Sequence, residues 1–220
     1  YIKKENIFSL TSCSDILSVM CLFEAETFSV GKTYVISYVY TPEEYRGRGY
    51  SSLLISSFLK TEKNTVVVFP ATKSLFSYYS RFGFTPCAFS ERFLFENGEK
   101  RELTKVGFSE EIYSLYLSSR KKNEVYKPKE LFAAAIKEAE ISDGGLFMSD
   151  GSFAFSYVEN GVRIVTEPFG KDEKAVAKAF SANEKTWLIL PSEKKDEPLA
   201  MTTGGENLYA DNFLNFNQYI

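Results

Sequence analysis

The chain has 220 residues, 44% of them hydrophobic and 25% charged, which is enough apolar material for one large domain or two small ones and too much for a disordered chain. A formal net charge of −3, from 26 basic and 29 acidic residues, gives no support for nucleic acid or an anionic membrane as a partner. There is no histidine, which excludes Ser-His-Asp and Cys-His nucleophiles, His-ligated metals and imidazole acid–base chemistry.

The elements read in chain order as follows. Ile7–Ser12 and Leu17–Val30 are rich in β-branched and aromatic residues and read as strands, with Gly31-Lys32 as a turn. Thr33–Thr41 is a strongly apolar strand expected at the centre of a sheet. A polar turn, Pro42-Glu43-Glu44-Tyr45, leads to Arg46-Gly47-Arg48-Gly49, and a helix is expected from about Gly49 to Lys60, with Leu54/Phe58 and Ile55/Leu59 as i,i+4 pairs. Thr65–Phe69 is a buried strand ended by Pro70, Ser74–Phe82 a short helix closed by Gly83, and Phe84–Phe95 a strand followed by an Asn97-Gly98 hairpin turn.

The texture changes near residue 104, which sets the expected domains at 1–103 and 104–220. Ser118–Lys129 reads as a polar, basic connection, and Pro128–Glu140 as a helix. Ser152–Glu159 and Val162–Glu167 read as strands around Asn160-Gly161. Lys171–Ala182 reads as a helix, and Thr186–Leu190 and Leu208–Phe216 as strands. The opening Tyr-Ile-Lys-Lys-Glu-Asn reads like the end of an element, so a preceding segment is expected.

Three cysteines, Cys13, Cys21 and Cys87, with no CxxC spacing indicate neither a disulfide framework nor a thiolate metal site. Free thiols in a reducing compartment, the cytoplasm, are the expectation. No secretory signal is evident and no apolar run approaches the roughly 18 residues of a membrane span.

The sharpest feature is the strand–Arg46-Gly47-Arg48-Gly49–helix unit. A glycine-rich turn at a helix N-terminus leaves backbone N–H groups without intrahelical partners, and the helix dipole adds positive potential there. Two arginines suit phosphate oxygens. No Gly-Lys-Ser/Thr closes a P-loop, and Ser52 stands where the dinucleotide fingerprint needs its third glycine. A surface turn without a ligand remains the alternative.

With its context this segment resembles a known superfamily. Val39–Leu54, VYTPEEYRGRGYSSLL, looks like motif A of the GCN5-related N-acetyltransferases, Gln/Arg-x-x-Gly-x-Gly/Ala, matched by Arg46 and Gly49 with Ser51 at the last position. Tyr78–Phe84, YYSRFGF, resembles the superfamily's Phe-Tyr-x-Lys-x-Gly-Phe segment. The resemblance covers about Ile7–Phe95 and is nearest to bacterial two-domain members related to the enhanced-intracellular-survival aminoglycoside acetyltransferases.

The resemblance implies an α/β (α+β) fold: a mixed sheet flanked by helices, followed by a smaller α+β domain that could be a degenerate second copy. It implies acetyl-coenzyme A as co-substrate, without a metal. The amides from Arg46 through Gly47, Arg48, Gly49 and Tyr50 to Ser51 would hold the pyrophosphate, and the backbone at Val39 and Thr41 the pantetheine arm. Amides near Val39–Thr41 would meet the developing oxyanion, and Tyr79 would protonate the departing thiolate. The alternative for Tyr79 is an aromatic packed under the sheet.

The acceptor would be a small amine, an aminoglycoside-like compound or a peptide. Candidate bases are Glu24, Glu26 and, by analogy with the aminoglycoside-modifying relatives, the carboxylate of Ile220. Solvated edge positions are the alternative for both glutamates, and Glu43 and Glu44 read as solvent-facing. Arg120-Lys121-Lys122 would touch an anion or belong to a solvated linker, and Cys87 reads as a small core residue. The rival to an enzyme is a catalytically inactive coenzyme A-binding or structural relative.

Overall fold

The computed structural model describes residues 4–29, 31–121, 124–192 and 198–203. Strands β1 (Ile7–Ser12), β2 (Asp15–Thr27) and β3 (Gly31–Tyr40) form an antiparallel meander. Helix α1 (Tyr50–Thr61) then crosses over to β4 (Thr65–Val68), which runs parallel to β3. Helix α2 (Lys73–Ser80) leads to the long strand β5 (Thr85–Phe95).

Beyond β5 come β6 (Thr104–Val106), α3 (Glu110–Ser118), α4 (Lys129–Ile141), β7 (Gly145–Ser149), β8 (Ser152–Glu159) and β9 (Val162–Phe169). Helix α5 (Ala175–Phe180), β10 (Thr186–Pro191) and β11 (Pro198–Thr202) follow. Together the strands make one mixed eleven-stranded order, β1-β2-β3-β4-β11-β5-β10-β9-β8-β7-β6.

Strand β5 joins the two halves of this order. Its first part, Thr85–Phe89, pairs with β11, and its second, Ser90–Phe95, pairs with β10. Residues after 104 therefore supply a strand, β11, that lies between β4 and β5.

Burial explains the layering. Val66 and Val68 of β4 face α1 and α2 in a core with Met20, Leu22, Ile36, Leu54, Ile55, Phe58, Tyr79 and Phe84, while Val67 faces the opposite layer with Phe23, Ala25, Val35, Ala88 and Leu131. A four-residue strand buried on both faces is what a parallel central position demands. The later strands bury Phe153, Phe155 and Phe169 against Tyr116 of α3 and Phe132 of α4, and Val165, Leu188 and Leu190 against α5.

Several local expectations are corrected. Asn97-Gly98 does not close a hairpin: β5 pairs with β10 and β11, and β6 with β7. Gly98 is there for closeness, because its N–H donates to the Ser181 carbonyl at 3.0 Å and a Cβ would fall 2.1 Å from Ser181 Oγ. Helix α3 is capped by Ser109, whose hydroxyl accepts from the Ile112 N–H.

Arg120 is not in a solvated linker: its side chain is 3% exposed, ion-paired with Glu124 and hydrogen-bonded to the Pro168 carbonyl at 3.2 Å. Helix α5 is shorter than expected because Asp172 caps the preceding turn through the Lys174 N–H. Strands β7 and β11 carry no long alternation in the sequence and were not expected. Leu208–Phe216, Lys122 and Ile220 lie outside the described residues.

Candidate functional site

Strands β3 and β4 face each other from Thr33/Thr65 to Ile36/Val68 and no further. Past that pair β4 ends, while β3 continues to Tyr40 along β2. The ladder with β2 also breaks here: Leu22 faces Ile36 and Cys21 faces Tyr38, so Ser37 is the extra residue of a β-bulge. Ser37 thus pairs with neither neighbouring strand. The bulge shifts the side-chain alternation by one, which puts Val39 in the same core as Ile36 and Tyr34.

A cavity of about 520 Å³ opens at this divergence. The end of β3 (Ile36, Ser37, Val39, Tyr40, Thr41) forms one wall, Val68–Ala71 after β4 another, and Arg46, Ser51, Leu75, Tyr78 and Tyr79 the rest. Ser37 Oγ is buried there with no hydrogen-bond partner among the described residues. A buried hydroxyl without a partner costs free energy unless something else supplies one.

The glycine-rich turn borders the same cavity. Gly47 and Gly49 have φ of 75° and 80°, and a Cβ on either would meet nothing within 4 Å, so the glycines answer a backbone requirement here. Gly49 is the N-cap of α1 and has no side chain to offer the helix. Among the described residues, the N–H groups from Gly47 to Ser52 find no acceptor.

The Arg46 N–H, in contrast, donates to the Glu43 carbonyl at 3.1 Å, so the free run begins one residue later than the sequence suggested and extends to Ser52. Arg46 Nε donates to the Thr41 carbonyl at 3.1 Å, fastening the turn to the end of β3. Arg48 lies over the Tyr45 ring at 5.7 Å, and Glu43 and Glu44 are exposed.

Tyr79, on α2, is buried and packs edge-on against Phe84 and Tyr78. Burial, with a smaller contribution from Tyr78, pushes its phenol well above the ordinary tyrosine range, so it stays protonated at neutral pH. Its hydroxyl has no hydrogen-bond partner among the described residues, and Tyr79 lines the cavity. Tyr78 beside it donates to Ser51 Oγ at 3.0 Å and lies 3.3 Å from Ser52 Oγ.

The site therefore gathers Val39, Thr41, Arg46, Ser51 and Tyr79 at one cavity, with Gly47, Arg48, Gly49 and Tyr50 in the adjoining turn. It does not gather Glu24 or Glu26. Glu24 pairs in the ladder with Tyr34 and forms an ion pair with Lys32 at 3.0 Å, and Glu26 accepts from Tyr126 Oη at 2.7 Å. Both lie toward the far end of β2, and no described carboxylate lines the cavity. Burial pushes the Cys87 thiol up to about 12, which leaves it an inert core residue.

Ser37 and Tyr78 were missed by the sequence reading. The alternation Tyr34, Ile36, then Val39 hinted at the first, and a tyrosine in place of the motif's phenylalanine hinted at the second. Among the described residues no group of three or more Cys, Asp or Glu could hold a metal, and no helix is long and apolar enough to cross a membrane.

Neither a family model nor a curated protein matches the chain by sequence. Solved structures do match it. A GCN5-related N-acetyltransferase from Kribbella flavida is 17% identical, with a TM-score of 0.61 over 90% of this chain and 60% of that one. One from Anabaena variabilis is 12% identical, with a TM-score of 0.67 over 91% and 63%. Eis1 from Mycobacterium abscessus is 8% identical, with a TM-score of 0.61 over 90% and 64%. The chain thus spans about three-fifths of the length of these structures. At such identities the shared property is architecture, and that architecture is the GCN5-related N-acetyltransferase fold.

Proposed function

We propose that the chain is an acetyl-coenzyme A-dependent N-acetyltransferase that moves an acetyl group directly to a primary amine of a small molecule or peptide. One observation carries this reading: the turn whose N–H groups from Gly47 to Ser52 find no acceptor among the described residues meets, through Arg46 and Ser51, the cavity lined by the unpaired end of β3 and by Tyr79. The residues fit the co-substrate, because the partnerless Ser37 Oγ marks a place for a polar ligand atom and the turn is made for an anion.

When bound, acetyl-coenzyme A supplies an acyl group activated as a thioester. The amides of Gly47–Ser52 and the Arg46 and Arg48 guanidinium groups hold its diphosphate. The free edge of β3, with the backbone at Val39 and Thr41, takes its extended arm as an added strand. Ser37, outside both ladders, would offer its hydroxyl to a polar atom of the bound arm or acyl group. As the amine nitrogen bonds to the acyl carbon and the C–S bond breaks, Tyr79, kept protonated by burial, would give its proton to the departing sulfur, and the proton released from the acylated nitrogen would restore the phenol.

The reading also places one unit at 1–103 and a second at 104–220, with β11 crossing back into the first. The partners are acetyl-coenzyme A and the amine, and the three unpaired thiols support a reducing, cytoplasmic setting.

The test is the thermal midpoint with and without millimolar acetyl-coenzyme A, for the wild type and for Gly49→Glu. Ligand at about 100 times its dissociation constant adds about 2.7 kcal/mol. For a chain of this size that raises the midpoint by roughly 5–10 °C. The rise is expected in the wild type and absent in the variant, and an acetylation screen of polyamines, aminoglycosides and peptides then finds the acceptor. A flat response from folded wild type overturns the reading, and binding without any acetylated product leaves an inactive relative.

A further inference from the structure

We propose that Tyr78 is a positioning residue for the donor: through its hydroxyl it orients the Ser51 hydroxyl toward the diphosphate in the turn. This rests on the function proposed above. Each hydroxyl has one hydrogen to give. Tyr78 gives its hydrogen to Ser51 Oγ at 3.0 Å, so the 3.3 Å contact between Tyr78 Oη and Ser52 Oγ is donated by Ser52. The chain then runs in one direction, from Ser52 to Tyr78 to Ser51.

Ser51 accepts from Tyr78 and keeps its own hydrogen, for which no described residue is an acceptor. It lines the cavity and is the second residue of α1, among the free amides of the turn. Its remaining hydrogen is thus a side-chain donor beside the backbone donors, and a hydroxyl that already accepts a hydrogen bond gives a stronger one.

The tyrosine ring is itself held. The Arg81 guanidinium lies 4.7 Å from its centroid, and Phe82 and Tyr79 pack edge-on at 5.1 and 5.2 Å. Ser51 and Tyr78 also stand where the motif segments carry Gly/Ala and Phe, so the two hydroxyls that depart from the pattern bond to each other.

The experiment is titration calorimetry of Tyr78→Phe, Ser51→Ala and the double variant against two probes. One is acetyl-coenzyme A; the other is S-acetylpantetheine, which has the thioester arm and no diphosphate. Ser51→Ala is expected to weaken acetyl-coenzyme A about tenfold, the low end for a hydrogen bond to a charged group. Tyr78→Phe should weaken it less, by about three- to fivefold, and should add nothing in the Ser51→Ala background.

S-acetylpantetheine affinity should not change in any variant. Should Tyr78→Phe fail to fold, Ser52→Ala cuts the same chain one link earlier and should show the same ligand selectivity. Unchanged acetyl-coenzyme A binding, an equal loss on both probes, or additive losses would overturn the proposal. Wild type that binds neither probe defeats the donor assignment itself, which separates the two failures.

Discussion

Ile36 and Val68 are the last residues at which β3 and β4 face each other, and the residue after Ile36 has lost its partner on β2 as well. Both ladders therefore let go at Ser37, and its hydroxyl, buried in the cavity wall, has no hydrogen-bond partner among the described residues. Ser37→Ala removes a group that makes no hydrogen bond to any described residue. Its urea midpoint is expected to match or slightly exceed the wild type, while kcat/KM falls by about five- to tenfold through the bond lost to bound ligand. A loss of stability with unchanged turnover would show that Ser37 serves the fold alone.

Tyr79→Phe keeps the ring in the core with Phe84 and removes only the hydroxyl. Stability should change little, and kcat should drop by about 10²–10⁴, the range for losing a general acid. The wild-type phenol is raised above its usual 10.0, so it remains a proton donor throughout the neutral range. Activity should therefore show no Tyr79-dependent fall until above pH 10. The linkage has a definite sign. A raised folded value means Tyr79's contribution to stability is complete below the unfolded value and is lost as pH rises beyond it. A basic limb in kcat near pH 8 that disappears in Tyr79→Phe would contradict this.

Lys127 and Glu167 form a buried ion pair, 0% and 4% exposed, with Lys127 Nζ 2.6 Å from Glu167 Oε2. Lys127→Met strands a carboxylate in the aromatic core of α3, α4 and β9 and should cost about 3–5 kcal/mol in urea unfolding. Replacing both residues with Met should recover most of that loss, because an apolar pair of similar volume avoids desolvating two charges. A double variant as unstable as the single would mean that the pair is net favourable by that amount.

Glu138, half-buried on α4, has its carboxyl raised to about 7, chiefly by burial. The charged form is the strained one. Its contribution to stability is full below the unfolded value of about 4.5 and fades as pH rises to 7. Glu138→Gln should therefore be more stable than wild type at pH 8, with the difference between the two shrinking toward pH 5. Thermal midpoints across that range check it, and a difference that does not vary with pH would refute it.

The turn at Arg46–Gly49, helix α1 and the place of Tyr79 were all legible, because each is written locally: glycines where φ is positive, an i,i+4 apolar stripe, and a short helix closed by Gly83. Ser37 was not legible as a site residue, since a bulge is a relation between two strands and only the register of β2 against β3 reveals it. Asn97-Gly98 misled for a related reason. The chain does turn there, with Asn97 at φ 55°, but the strands on either side find other partners. Glu24 and Glu26 had the right chemistry on the right strand, and the ladder sets them several residues away from the cavity. Strand β11 offered too few residues to be read, and its neighbours are far off in the sequence.

That last strand has a consequence for synthesis. Val66 N–H donates to Thr203 Oγ1, and the Thr203 N–H donates back to the Val66 carbonyl, across 137 positions of chain. A ribosome has therefore finished the whole glycine-rich turn long before it makes the strand that flanks β4. Until Pro198–Thr202 emerges, the nascent chain displays an open edge on β4 and another on β5, each a template for a neighbouring copy. The glycine-rich turn is made early, yet β4, whose end lines the cavity, gains its second neighbouring strand only once residues 198–202 are made.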